Sequence, residues 1–370
     1  MNPATPPSFY VNTTSPRVSV LLPTYNRARF LEEAIDSVLR QTLEDLELIV
    51  VDDGSSDETP ALLAAIEDPR LRCTRQPHSG ISATLNRALS AARGEYIARL
   101  DSDDLWLPNM LATLVPILDL RRDAGVAYAQ GQAMTADGHP LAHVQGLPPR
   151  FANDSLRSIV YDDCTCNIAL IARRSCFERV GTYDENLIAN EDWDMWLRVA
   201  RQFDFVFVEQ VVARIRWHNG NLTGPGSADF TAVLDARTRP LDKLFAEPDL
   251  PAAVRAMRPI AYTNVYLYRA QRFVRSGQYR RAIGELRSAL TSGPGIVSPL
   301  LRFVWLAGFA EILKRDAIGR RVLSTLADIR RRRRVIRDRR ATLRALDSPA
   351  AIDEAGRESN SAENDAGSGV

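Results

Sequence analysis

After residue 17 the chain settles into a repeating alternation of patterns. Residues 18–23 (VSVLLP) are a short continuous apolar run, which predicts a buried strand. Behind it Phe30, Leu31, Ala34, Ile35, Val38 and Leu39 recur three and four positions apart, the stripe of an amphipathic helix. The pair repeats, with strands expected at 46–52, 70–76 and 95–100 and helices at 57–67 and 81–92. Strands apolar on both faces, alternating with helices, predict an α/β fold with a parallel sheet covered on each side. Ligands of such sheets bind beyond the carboxyl ends of the strands.

From about 124 to 217 the pattern changes to mixed strands and short helices. A helix is expected over 190–202, with Glu191, Asp192 and Asp194 in a first turn where the helix dipole by itself favours carboxylates. Residues 205–218 read as two strands or one bent strand, and from about 228 onward the chain reads as helix. Residues 266–294 have the spacing of one tetratricopeptide-type hairpin, through Ala270, Gly277, Tyr279, Ala282, Leu286, Ala289, Leu290 and Pro294. A single copy does not make a repeat array, so the hairpin is expected to pack on neighbouring helices. The expected organisation is a flexible leader at 1–16, an α/β domain at 17–225, a helical region at 226–345 and a disordered tail at 346–370.

Composition adds little until it is resolved along the chain. The 370 residues leave room for one large domain and a smaller one, and the net charge of +1 favours no class of partner. Between Lys314 and Arg344, however, thirteen Lys and Arg face three Asp. Cys73, Cys164, Cys166 and Cys176 form no CxxC pair and have no zinc spacing to the four histidines. Cys164 and Cys166 are expected on one face of a strand as buried free thiols. The first 17 residues lack the basic and apolar regions of a signal peptide, and the apolar stretch 296–313 is interrupted by Pro299, Arg302 and Glu311. A cytoplasmic location with reduced cysteines is expected.

Polar residues gather where the strands end. Pro23, Thr24, Tyr25 and Asn26 follow the first, Asp52, Asp53, Gly54 and Ser55 the second, His78, Ser79 and Gly80 the third, and Asp101, Ser102 and Asp103 the fourth. Three carboxylates, Asp101, Asp103 and Asp104, crowd into four positions of YIARLDSDDLW. A solvated turn would explain them, and so would a divalent cation, because like charges this close are costly unless something positive lies between them. On an extended strand end, positions 101 and 103 project to one side and are able to share an oxygen-seeking ion such as Mg²⁺ or Mn²⁺.

VSVLLPTYNR, LELIVVDDGSSDET, GISATLNRAL, GEYIARLDSDD and NEDWDMWLR follow one another in that order. This succession resembles glycosyltransferase family 2, over roughly residues 17–220. The resemblance implies a GT-A (nucleotide-diphospho-sugar transferase) fold, with a Rossmann-like, mostly parallel sheet flanked by helices. It implies that Pro23, Thr24 and Tyr25 hold the base and ribose, that Asp53 contacts the base, and that Gly80 and Asn86 belong to the nucleotide-sugar site. Asp101 and Asp103 match the DxD-type motif, with Asp103 the direct ligand of Mn²⁺ or Mg²⁺ and Asp101 near the ribose or metal. Asp192 matches the general base. His218, in RWHNGN, is a candidate third ligand or diphosphate contact. Where relatives carry Arg before the Asn of the third helix this chain has Leu85, leaving Arg75 and Arg99 as candidates for the diphosphate.

The implied activity is inverting transfer of a sugar, a UDP-sugar above all, to the hydroxyl of a glycan or lipid-linked acceptor. A silent nucleotide-sugar-binding module and a nucleotidyltransferase are the competing readings. The latter usually has a Gly-rich loop after the first strand, where PTYNRARF stands here. Trp193 and Trp196 have the spacing for either sugar stacking or core packing. The basic segment 331–340, with the apolar stretch before it, reads as a solvated helix face or as contact of 296–345 with an anionic membrane surface at the cytoplasmic side. Nucleic acid is not expected, since no reading motif accompanies the charge.

Overall fold

A computed structural model describes residues 15–292 apart from 219, 222–226 and 228. The expected leader up to residue 14, the basic segment, the apolar stretch 296–313 and the tail lie outside the described residues. The first half alternates as the pattern predicts: β1 (Val18–Thr24), α1 (Ala28–Leu39), β2 (Leu46–Asp52), α2 (Thr59–Ala65), β3 (Leu71–Arg75), α3 (Ile81–Ala91) and β4 (Tyr96–Arg99). β5 (Leu105–Trp106), α4 (Met110–Leu120), β6 (Ala124–Thr135), β7 (Pro140–Gln145), α5 (Ser155–Tyr161), β8 (Leu170–Arg173), α6 (Arg174–Val180), α7 (Glu191–Ala200) and β9 (Asp204–Trp217) follow. The chain then runs through α8 (Phe230–Asp235), α9 (Arg239–Ala246), α10 (Ala252–Arg255), α11 (Arg258–Arg275) and α12 (Tyr279–Thr291).

The sheet order is β3-β2-β1-β4-β8-β6-β9-β5, with β7 beside β6. β3, β2, β1 and β4 are mutually parallel, whereas β8 runs antiparallel to both β4 and β6. The sheet is therefore parallel in its first half and mixed beyond β4. The order reverses between β1 and β4, the place where an α/β sheet opens a crevice at its carboxyl edge.

Alternation along the strands fills two cores. Val18, Val20, Leu22, Leu48 and Val50 face α1 through Leu31, Ile35 and Val38, and α4 through Leu114 and Val115. Leu21, Ile49, Val51 and Ile97 face the other way, onto Leu85 and Ala88 of α3. That second core continues through Trp193 and Trp196 of α7 into Leu241, Leu244, Val254 and Val265 of the helical region. The helices after 228 thus complete the core of the sheet domain.

Residues 205–218 resolve into one strand, β9, whose register against β6 shifts at several points. α11 and α12 form the expected hairpin, with Ala270, Ala282, Leu286 and Ala289 buried, while Tyr279 and Leu290 of the repeat-like signature are exposed. One expectation is corrected. Cys164 and Cys166 precede β8 in a loop, and their thiols enter opposite cores, Cys164 beside Tyr128 and Cys166 against Gly131. Both are free, and burial raises them to about 11 and about 12, so neither is a ready nucleophile.

Candidate active site

The ends of β1 and β2 are tied together before any ligand arrives. Asp53 N–H donates to Thr24 O (2.9 Å), Asn26 N–H to Ser55 Oγ (2.9 Å), and Ser56 N–H to Asn26 Oδ1 (2.8 Å). Asp52 accepts from Ser55 N–H (2.9 Å) and lies 3.3 Å from Arg75, so it supports the turn. Asp53 is buried and spends both carboxylate oxygens on the β3–α3 loop. Oδ1 accepts from Gln76 Nε2 (2.8 Å) and Ser79 N–H (2.9 Å), Oδ2 accepts from Gly80 N–H (2.9 Å) and lies 2.8 Å from His78 Nδ1, whose hydrogen-bond contact is with Asp53 O (3.3 Å). Gly54 has φ +83°, and a Cβ there would stand 2.9 Å from His78 N, which only glycine tolerates. Tyr25, 41% exposed, stacks on the His78 ring at 4.1 Å. Pro23 and Thr24 lie buried at the end of β1, and Thr24 Oγ1 has no hydrogen-bond partner among the described residues.

Asn86 stands away from this cluster. Its amide donates to Tyr183 O (2.9 Å) and Glu185 (2.8 Å) and accepts from Tyr183 N–H (2.8 Å), clamping α3 to the 183–185 turn.

Beyond β4 the chain turns at once, with Asp104 N–H donating to Asp101 O (3.0 Å), so 101 and 103 do not share one side of an extended strand. Asp101 pairs with Arg99 Nε (2.7 Å), and Arg99 reaches Glu191 with Nη1 (3.0 Å). Arg99 is therefore committed to two carboxylates, and Arg75 binds Ser55 O (2.6 Å). Asp103 Oδ2 faces His218 Nε2 (2.9 Å), Asn221 Nδ2 (3.4 Å) and Arg27 Nε (3.5 Å). Asp104 is buried, accepts Arg216 N–H (2.7 Å) and is held well above the usual carboxylate range by burial and then by Asp103 and Asp101. It anchors β9 to the turn. Arg216 fastens the same corner, donating to Asp103 O (2.9 Å) and Glu33 (2.6 Å).

Among the described residues no three His, Cys, Asp or Glu side chains converge as a ready-made metal cage. A carboxylate oxygen and an imidazole nitrogen do meet at Asp103 and His218, a donor pair that suits Mn²⁺, and such ions commonly complete their shells with water and substrate phosphates. Gly220 N–H donates to His218 Nδ1 (3.0 Å), which puts the proton of a neutral ring on Nε2, toward Asp103. Ligation through Nε2 would move that proton to Nδ1 at the expense of the Gly220 contact. With that one adjustment the donor set fits a divalent cation.

α7 brings up the third group of residues. Asn190 starts the helix in the left-handed region (φ 61°), its Oδ1 accepting from Arg237 (3.0 Å). Glu191 is buried against Arg99 and titrates above its ordinary value, first through burial and then through the charge of Asp192. Asp192 Oδ1 accepts from Trp193 N–H (2.7 Å) and Oδ2 from the Asn167 amide, whose own oxygen accepts from Trp196 Nε1 (2.7 Å). Trp193 and Trp196 are 2% and 3% exposed, so both pack in the core and neither offers a face to a sugar. Asp163 joins this group; confinement among protein atoms, then the charge of Asp192, pushes its carboxyl up to about 7, although water reaches part of the residue. Asp101, Arg99 and Glu191 form a chain of ion pairs from the acidic turn to the start of α7, with Glu191 buried and Asp101 partly exposed.

Sequence reasoning missed Arg27, Asn167, Asn221 and Asp163. Arg27 could have been found, since it directly follows the polar end of β1. Asn221 lies in the same RWHNGN stretch as His218, and Asn167 and Asp163 carry no local signal.

The family model for glycosyl transferase family 2 matches residues 19–179. An uncharacterized glycosyltransferase of Rickettsia typhi is 31% identical over 221 residues, covering 57% of this chain and 67% of that protein. Chondroitin synthase of Pasteurella multocida is 27% identical over 208 residues, covering 56% of this chain and 21% of that much longer protein. Among solved structures, a complex of S. aureus TarS 1-349 with UDP-GlcNAc superposes with a TM-score of 0.55 at 19% identity, covering 79% of this chain and 88% of its own. The mannosyltransferase PcManGT of Pyrobaculum calidifontis, in complex with GDP-Man and Mn²⁺, gives 0.52 at 22% identity, covering 85% of each chain. At these identities the two structures establish a shared fold.

Proposed function

Because this chain belongs to glycosyltransferase family 2, we propose that it transfers a sugar with inversion from a nucleoside-diphospho-sugar, a UDP-sugar by preference, to an acceptor hydroxyl. The observation that carries the reading is an Arg27–Asp103–His218 cluster at the β1/β4 reversal, tied through Asp101 and Arg99 to Glu191 in the acidic helix start that carries Asp192. Tyr25 offers the exposed ring on which a base stacks. Asp53 holds the loop that borders it. Arg27 offers a donor to a diphosphate.

Asp192 is the base. It takes the acceptor's hydroxyl proton as that oxygen bonds to the anomeric carbon, while the bond from that carbon to the diphosphate oxygen breaks and its electron pair leaves with the nucleotide. The single displacement inverts the centre. Asp103 and His218 would hold the cation, which when bound supplies positive charge for the departing diphosphate.

UDP-GlcNAc and GDP-Man in the two related structures support a nucleotide-sugar donor, and the synthase likeness supports a growing polysaccharide as acceptor. A lipid-linked acceptor and contact of 296–345 with an anionic membrane are a further part of the proposal, and those residues lie outside the described ones. Among the described residues no helix is long and apolar enough to cross a membrane.

The test is turnover of a panel of UDP- and GDP-sugars with Mn²⁺, following nucleotide release and the anomeric configuration of the product by NMR. Inverted product is expected. Retention of configuration would refute the mechanism, and binding without turnover of any donor would favour a silent nucleotide-sugar-binding module.

A further inference from the structure

Asp192 has a fixed neighbour that the reaction scheme does not use. Asn167, in the loop before β8, donates its amide to Asp192 Oδ2, and its oxygen accepts from Trp196 Nε1 at 2.7 Å. An indole N–H only donates, so it can be satisfied only by the amide oxygen. The amide NH₂ must then face the carboxylate; a flipped amide would set oxygen against oxygen and NH₂ against N–H. Trp196 is buried and lies one helical turn after Asp192 on α7, so the indole that orients the amide is itself immobilised. The other oxygen, Oδ1, is held by Trp193 N–H at 2.7 Å. Each oxygen keeps one further lone-pair direction, and the plane of the carboxylate is set from both sides.

We propose that Asn167 is a positioning residue for the base Asp192, with Trp196 fixing the orientation of its amide. This rests on the transferase reading given above. A carboxylate that must meet a hydroxyl within hydrogen-bond reach gains from being held in one rotamer, since small misplacements of a reacting group cost up to about 100-fold in rate. Trp196 acts only through Asn167, and that gives the inference a signature which loss of packing would not produce.

The experiment compares wild type, Asn167→Ala, Trp196→Phe and the double variant, using whichever UDP- or GDP-sugar the wild type turns over. Kd for the free nucleotide with Mn²⁺ is measured beside kcat. Asn167→Ala should lower kcat by about 10- to 100-fold with Kd for the nucleotide unchanged. Trp196→Phe keeps a six-membered aromatic ring and removes the pyrrole N–H, and should lower kcat less. The double variant should match Asn167→Ala alone, because the indole has nothing left to orient. Wild-type kcat in Asn167→Ala, parallel loss of nucleotide binding and kcat, or strictly additive effects would each overturn the inference while leaving the transferase reading intact. A wild type that turns over no donor would remove both.

Discussion

Asp53 and Gly54 show what single residues contribute to this edge of the sheet. The Asp53 carboxylate accepts three hydrogen bonds from the β3–α3 loop and lies beside His78, and Gly54 lets that loop approach by adopting φ +83°. Gly54→Ala should cost about 1–3 kcal/mol of stability and loosen the loop under His78. Denaturant unfolding checks it, and a neutral substitution would contradict the contact. Asp163 makes a pH-dependent prediction. Folded, it titrates near about 7, while its ordinary value is 3.8, so between these the folded chain holds the proton that the unfolded chain has lost. Its contribution is fully present below about 4 and disappears as pH rises to about 7. Asp163→Asn should therefore melt close to wild type near pH 4 and above it at pH 8, with Thr165 still able to donate to the new amide oxygen. Equal melting temperatures at both pH values would count against the confined, charge-crowded setting.

At the scale of elements, Arg99 joins β4 to α7. Its guanidinium lies between Asp101 and Glu191 with little exposure, and removing it would strand two carboxylates. Arg99→Met should cost about 3–5 kcal/mol near neutral pH. The loss should shrink as pH falls, because Glu191, already raised by burial, takes up a proton most readily. A loss independent of pH would point to packing instead. The same scale shows what was legible in the chain. β1, β2, α1 and α3 were readable because a strand buried on both faces and a helix buried on one leave local periodicities. β5, two residues long, exists only because β9 pairs with it, and no local pattern encodes that. The carboxylates of the site were readable from their places at strand ends. Their partners were less so: Asn167 comes from a distant segment with no motif, Asn221 stood unremarked beside His218, and Asn86, assigned to the site by motif, clamps Tyr183 and Glu185. Trp193 and Trp196 were ambiguous in sequence because helical spacing does not tell a core face from a binding face.

Across the whole molecule, the described helices after 228 extend the core that holds α7, so the helix carrying Asp192, the proposed base, is set in a core shared by the sheet and those helices. A ligand that bridges β1, β2 and the acidic turn should stabilise them as a unit. Nucleotide with Mn²⁺ at about 100 times Kd adds about 2.7 kcal/mol by mass action and should raise the melting temperature by several degrees. The proposed function makes the β1/β4 reversal a metal-assisted nucleotide site built on Asp103. The most direct measurement is calorimetric titration of UDP and GDP, with and without Mn²⁺, into wild type and Asp103→Ala. The account predicts Mn²⁺-dependent binding of one nucleotide to wild type and its loss in Asp103→Ala. Binding that is the same without Mn²⁺, or that survives in Asp103→Ala, would contradict it.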